Sequence, residues 1–457
     1  MGLHKLRAVW NRVRDSLWFI PALLTLGSVG LALLTIQLDV VGVLPDSPAG
    51  LILFTGTASG ARGVLTAIAS SFITVTGVVF SVTIVALQLA STQFTPRILR
   101  NFTADRVNQV VLGAFIGTFT YALLILRVVR GETGGMTPED VQEGARTAVE
   151  SPEAFVPHLS VTVAVGLAVV GIGFLIYFIH HAAQSVQAGV IIQRVTADAL
   201  ATVDRLLPER VGEPGEERVE GATPDSGGSL VTADRSGYVQ GIDEAGLTGR
   251  VHGKGLTIRM EPAIGDFVLA GGTLATIWPA EPGEGGDVAE SVRQAFVIGH
   301  ERTPHADAEL GIIELADIAV RALSPGINDP TTAVLCVDRL CEVLLAYARR
   351  ERPRRVRGLP DGGTLILPLA PFAELVDTAF DEIRHFGVEN PRFTMAFLDR
   401  LGDLGDVLPQ EHRPPVARHV AAVLRVAGGV VRSESDLRRV ERAARDALGR
   451  LGVSDDD

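Results

Sequence analysis

Four stretches of this chain lose the alternation of apolar and polar positions and become almost continuously apolar. They are Leu17–Leu38, Val64–Thr92, Val107–Val129 and Leu159–His181. A hydrocarbon core of about 30 Å takes about 20 apolar residues at about 1.5 Å each. Backbone groups in lipid must bond within their own segment, so such stretches form helices. The pattern predicts four transmembrane helices (about 17–38, 64–92, 107–129 and 159–181) inside a domain covering residues 1–183.

The second stretch keeps a polar register of its own. Thr66, Ser70, Thr74, Gly77, Ser81, Gln88 and Thr92 recur at intervals of three, four or seven, which is one face of a helix. About 29 residues give a helix of about 43 Å, longer than the hydrocarbon core, so it must tilt or extend beyond it. It ends in Phe94-Thr95-Pro96-Arg97, where proline disfavours helix at the preceding residue. Two readings of the polar face compete. In one, Ser70, Thr74, Gly77, Ser81 and Gln88 line a pore or substrate path. In the other, commoner in membranes, small residues let backbones approach and hydroxyls bond back to carbonyls. Gly113 and Gly117 in the third stretch have the spacing of close helix packing. Arg97 and Arg100 fall at headgroup depth, either as ordinary anchors or as a cationic ring at the inner mouth of an anion path. His180-His181 closes the fourth stretch as a polar helix end or a pH sensor. The absence of Asp, Glu, Lys or Arg from the middle of the stretches argues against a proton-coupled pump.

After residue 183 the periodicity changes. Residues 184–229 read as an amphipathic helix followed by a flexible linker rich in Pro, Gly, Glu and Ser. Residues 230–280 carry short apolar runs between glycine turns, a small β module. Within it Gly265-Asp266-Phe267-Val268-Leu269-Ala270-Gly271-Gly272-Thr273-Leu274 resembles the G-D-x-V-x-x-G-x-x-L pattern of barrel-sandwich hybrid domains of the lipoyl and biotinyl type. Lys254 is the only nearby lysine and lies in no carrier signature, so a structural module without a prosthetic group is expected. Residues 288–457 read as a cytoplasmic helical domain. In it the turn Ser324-Pro325-Gly326-Ile327-Asn328-Asp329-Pro330 breaks one helix and starts the next, with Asp329 suited to the N-cap and Pro330 to the first helical position. The fold class is therefore an α-helical membrane protein with four transmembrane helices, plus a cytoplasmic α+β region made of a small β barrel-sandwich-like module and a helical domain.

Composition sharpens this picture. The chain is 47% hydrophobic with a formal charge of −12, and a net acidic chain is a poor nucleic-acid partner. Its mean hydropathy is +0.29. Cys336 and Cys341, the only two cysteines, are five apart and fit neither a zinc nor a redox spacing, so reduced thiols in a cytosolic helix are expected. Lys5, Arg7, Arg12 and Arg14 precede the first stretch, and Arg97, Arg100 and Arg106 fill the loop after the second, whereas the loop after the third is acidic. The positive-inside rule then places both termini in the cytoplasm. The first stretch is too long for a signal peptide's apolar region and reads as a retained anchor. Glu314, Asp317 and Asp329 are the acidic groups around the turn, and His300, His305 and Asp307 match no standard metal spacing. With no phosphate loop, nucleophile elbow or zinc helix, no enzyme activity, metal or cofactor is expected.

The run Ser71–Thr83, the Phe94-Thr95-Pro96-Arg97 ending, Gly117-Thr118-Phe119-Thr120-Tyr121 and Ala322-Leu323-Ser324-Pro325-Gly326-Ile327-Asn328-Asp329-Pro330-Thr331-Thr332-Ala333 together resemble a bacterial family of predicted membrane proteins catalogued only as a domain of unknown function. The resemblance covers nearly the whole chain. It implies a several-span membrane protein with a cytoplasmic C-terminal domain, and it brings no activity; the expected location is the bacterial inner membrane. Three functions compete. The first is an oligomeric ion channel or passive transporter, with the lipid bilayer, further copies of the chain and ions as partners. The second is a membrane-anchored scaffold or sensor, in which the Ser324–Pro330 turn binds a small cytoplasmic ligand. A membrane-linked hydrolase using the acidic cluster ranks third.

Overall fold

The computed structural model describes residues 16, 18–41, 54–93, 105–130, 155–185, 187–206, 227–279, 286–303, 307–350, 356–358 and 363–453. The basic N-terminal flank, most of the Pro- and Gly-rich linker and the acidic loop after the third apolar stretch lie outside these residues. The chain divides into two compact units, Met1–Gln187 and Ala188–Asp457.

The first unit holds helices α1 (Phe19–Val41), α2 (Ala58–Gln93), α3 (Arg106–Val128) and α4 (His158–Ser185). All four are long and apolar enough to cross a membrane. Of the most apolar window of α3, 50% is buried, against 17%, 17% and 22% in α1, α2 and α4, so α3 is the central helix. Close approach to α1 explains its glycines. A Cβ on Gly113 would lie 2.7 Å from Leu24 and 2.9 Å from the Pro21 backbone, and one on Gly117 would lie 2.5 Å from the Ser28 hydroxyl. Two apolar cores follow, one around Leu65, Tyr121, Ile125 and Val161, the other around Phe72, Val111, Phe115 and Phe178. Leu26, Leu33, Val169, Ile172 and Ile176 remain exposed, an apolar exterior that suits lipid. Asp105 caps α3 by accepting from the Val107 N–H at 2.9 Å, and a two-bond bridge between Arg130 and Phe155 joins the end of α3 to the approach of α4.

The second unit begins with α5 (Ala188–Leu206), whose buried positions Ile191, Ile192, Val195, Ala199 and Val203 mark an amphipathic helix. This helix packs in the helical part of the unit, where Gly311 allows Ala199 to approach. Strands β1 (Ser229–Thr232), β2 (Gly237–Ile242), β3 (Thr257–Met260), β4 (Phe267–Val268) and β5 (Thr273–Trp278) fall on the short apolar runs of the β module, with α6 (Glu244–Val251) inserted after β2. Three further strands come from later in the chain. They are β6 (Phe296–Gly299) after α7 (Asp287–Ala295), and β7 (Val356–Gly358) with β8 (Thr364–Ile366) after α8 (Ala308–Leu323) and α9 (Pro330–Ala348). The sheets run β1-β5-β3-β8-β7 and β4-β2-β6, and only the β3–β8 pair is parallel. Ile258, Met260, Ile277, Leu247, Val292 and Leu365 fill a common core between sheet and helices.

Gly265 shows why the β4 turn needs its glycine. Its φ is +100°, and a Cβ there would lie 2.6 Å from the Arg302 guanidinium and 2.7 Å from Asp307. Arg302 in turn binds Asp307 and Glu309, and Thr378 donates to Glu309, so the turn rests on a polar tie into the helical part. The remaining helices are α10 (Phe372–Gly387), α11 (Pro391–Val407), α12 (Arg413–Val430) and α13 (Glu434–Leu451). Asn390 and Ser433 cap α11 and α13, and Gly452 at φ +78° ends the last helix.

Candidate functional site: the outward face of α2

The packed side of α2 consists of Ala61, Leu65, Ala69, Phe72 and Val79. At about 100° per residue these positions fall within about 80° of one another. Ser70, Thr74, Gly77, Ser81 and Gln88 fall within about 60° on the opposite side, and all five are exposed. The polar ladder therefore does not serve packing inside the four-helix unit. The aromatic and aliphatic positions of α2 hold the unit together, with Phe72 against Phe115 (ring centroids 5.6 Å apart) and in the notch left by Gly171. The hydroxyls and Gly77 point away, with nothing within 4 Å of a Cβ placed on Gly77 or on Gly63.

The hydroxyl protons are all engaged. Ser70 donates to Ala67 O at 3.2 Å, Thr74 to Ser70 O at 2.8 Å and Ser81 to Gly77 O at 2.9 Å. These bonds satisfy the donors even in lipid. What these hydroxyls present outward is a row of oxygen lone pairs, an acceptor surface about three turns long from Ser70 to Ser81. Arg97 and Arg100 lie outside the described residues, as does the Phe94-Thr95-Pro96-Arg97 ending.

Two polar knots tie the helices of the unit, and one was not legible beforehand. Asp39 lies one residue beyond the first apolar stretch yet belongs to α1, and its carboxylate accepts from the Leu159 and Ser160 N–H groups at 2.9 Å each and from the Ser160 hydroxyl. It caps α4 from another helix, an anion on a helix N-terminus. Beside it the Tyr121 hydroxyl bonds Thr35 at 2.9 Å and Ser160 O at 3.1 Å. The paired histidines separate. His181 turns inward to Asp105, with Nε2 2.7 Å from Oδ2, while His180 is exposed and meets Gln184.

In the second unit the Ser324–Pro330 turn is built as its residues suggest. Asp329 accepts from Thr331 N, Thr332 N and the Thr332 hydroxyl, and Pro330 opens α9. The Thr332 hydroxyl, helped by the two backbone N–H groups, holds the Asp329 carboxyl below the usual carboxylate range and outweighs the opposing effect of burial. Ser324 donates to Arg321 O, and the Ile327 and Asn328 N–H groups return to Ser324 O. Asn328 adopts a left-handed φ of 48°, and Pro325, Gly326, Ile327 and Asn328 form an exposed tip. Asp307 is engaged by Arg302 and caps α8, His300 is exposed, and His305 lies outside the described residues. No three His, Cys, Asp or Glu side chains gather to hold a metal among the described residues. Burial pushes both thiols up, Cys341 to about 12 and Cys336 further, so neither is a nucleophile at neutral pH.

Residues 14–403 match the family described as "Predicted membrane protein (DUF2254)". The chain is 33% identical over 452 residues to the uncharacterized protein Rv1290c of Mycobacterium tuberculosis, covering 97% of this chain and 82% of that protein. The same figures hold for the uncharacterized protein Mb1321c of Mycobacterium bovis. No solved structure matches the chain. With the family matched over most of its length and four apolar helices in its first unit, the chain belongs to this family of predicted membrane proteins.

Proposed function

We propose that several copies of the chain assemble in the bacterial inner membrane around the outward face of α2 and form a passive path for ions or small polar solutes. Four spans in one copy are few for a pore, so the path lies on a symmetry axis between copies. Ser70, Thr74, Gly77, Ser81 and Gln88 line it. The observation that carries this reading is the placement of the ladder opposite the packed side of α2. A polar stripe turned toward lipid gains from a neighbouring copy or from water. Both termini lie in the cytoplasm, and the second unit regulates the path as a non-enzymatic domain that binds neither nucleic acid nor a cofactor, its β module a structural piece of barrel-sandwich type. The back-bonded hydroxyls present acceptors and favour cations, whereas Arg97 and Arg100 at the inner mouth favour anions.

Flux through purified protein in liposomes tests the path. Ion-replacement flux in the wild type, lost in Ser81→Leu, is the expected result, and cation against anion substitution identifies which feature sets selectivity. Absence of flux under every ion and potential, with Thr74→Cys and Ser81→Cys closed to water-soluble thiol reagents, overturns it. That outcome supports the second reading, a membrane-anchored scaffold or ligand sensor. Its supporting observation is the exposed Pro325–Asn328 tip, which presents an apolar Ile327 side chain to solvent.

A further inference from the structure

The carboxylate of Asp105 holds two helices at once. Oδ1 accepts from the Val107 N–H and so fixes the first turn of α3, while Oδ2 sits 2.7 Å from His181 Nε2 on α4. The side chains are 7% and 19% exposed, so water screens the contact poorly. The imidazole is also held from its own helix by Tyr177, one turn earlier, with near-parallel rings 6.1 Å apart. Few other charges reach it. On α3 the neighbouring Arg106 is exposed, and on α4 His180 faces Gln184 in solvent. From α1 and α2 the described charged groups are Asp39 and Arg62, and both sit at the far end of the bundle. Asp39 is on the first N–H groups of α4, and Arg62 donates to Val129 O. Among the described residues, Asp105 is therefore the charge that answers the ring.

We propose that Asp105 and His181 form a protonation-dependent tie between α3 and α4, tight when the ring is charged and loosened when it is neutral. Histidine ordinarily changes charge between pH 5 and 8. With the proton on, the contact is a charge-assisted bond between imidazolium and carboxylate. With the proton off, Nε2 keeps its hydrogen in the appropriate tautomer and donates a neutral bond, and the carboxylate keeps its place on the N-terminus of α3. The start of α3 and the last turns of α4 thus separate more readily as pH rises. The test of this tie requires no conducting path.

The test is amide hydrogen exchange on the full chain in lipid nanodiscs at pH 5.5 and 8.5, corrected for the intrinsic pH dependence of exchange. Amides of residues 107–112 are expected to be protected about fivefold more at pH 5.5, the scale of a charge-assisted bond over a neutral one. His181→Gln, which keeps an N–H donor but no titrating ring, is expected to show equal protection at both values. Asp105→Asn, which keeps an N-cap without charge, is expected to do the same. Equal corrected protection in the wild type overturns the tie, and that arm depends on no variant folding. An unchanged pH response in His181→Gln also overturns it.

Discussion

Helices α2 and α3 are both long, apolar and dotted with glycine and hydroxyl residues at three- and four-residue spacing, and the fold turns those residues in opposite directions. In α3 they face inward. Gly113 and Gly117 receive α1, and Thr118 is buried with its hydroxyl returned to Ala114 O. In α2 the ladder from Ser70 to Gln88 faces outward, while phenylalanine, leucine, valine and alanine occupy the packed side with Thr76 and Thr83 half-buried beside them. Periodicity finds a face but not its neighbour. What decides is the competing face of the same helix. The packed side of α2 already has Leu65 and Phe72 to bury, and these fill space that small residues leave empty. α3 is surrounded, and its glycines admit α1 while Val111, Phe115, Tyr121 and Ile125 pack in the cores it shares with α2 and α4.

The largest break in this comparison comes from matched glycine substitutions. Gly117→Leu drives a side chain into a site where even a Cβ lies 2.5 Å from Ser28, and should cost about 3 kcal/mol or abolish folding. Gly77→Leu meets open space and should leave the thermal stability of the detergent-solubilised single copy unchanged while weakening association between copies. Thermal unfolding beside crosslinking in membranes reads both. Equal destabilisation by the two substitutions would mean that the outward face of α2 is covered within one copy.

Next in size is a contrast between the two units in their response to acid. His419 on α12 is buried, with Nε2 3.0 Å from Asp377 and the ring edge-on to Phe380. Burial pulls its pKa down and outweighs the upward pull of the Asp377 hydrogen bond and the nearby Asp381. The unfolded chain therefore takes up this proton first as pH falls through about 6.5. The stability contributed by the neutral ring is complete above that pH and is lost as pH falls toward the folded value. The tie proposed between Asp105 and His181 is a contact of the opposite kind, strongest with the ring charged. Thermal unfolding of the second unit should weaken from pH 7 to pH 5, and His419→Phe should flatten that slope. A slope unchanged in the variant would assign it to other groups.

The sequence carried the parts of this molecule whose cause is local. Four apolar runs, the Asp329 and Pro330 start of α9 and the amphipathic helix α5 depend on residues within a few turns of one another. The start of α2 at Ala58, ahead of Val64, was hidden because Gly60, Arg62 and Gly63 lower the hydropathy there without preventing helix. Asp39 was missed because its partners lie 120 and 121 residues away and nothing near it in the chain names them. The same distance problem hid β7 and β8, three residues each and too short for alternation to show, which join the sheet by pairing β8 with β3. The polar face of α2 was legible as a face, and its outward direction was not.

The smallest expected effects sharpen the first comparison most, because they separate a buried hydroxyl from an exposed one. Tyr121 bonds both Thr35 and the Ser160 carbonyl in the interior, so Tyr121→Phe leaves two buried partners weakened at once. Interhelical hydrogen bonds in membranes average about 0.6 kcal/mol, so the loss should be near 1 kcal/mol and visible as a lower unfolding temperature. Ser81→Ala removes a hydroxyl that bonds only to Gly77 O of its own helix on an exposed side. The carbonyl keeps its helical partner, and the alanine has the better helix propensity, so stability should change by about 0 to 0.3 kcal/mol in either direction. A cost for Ser81→Ala as large as that for Tyr121→Phe in the single copy would place a protein neighbour on the outward face without any second copy. If the cost appears only in the assembled protein in membranes, the neighbour is another copy, as the proposed assembly expects.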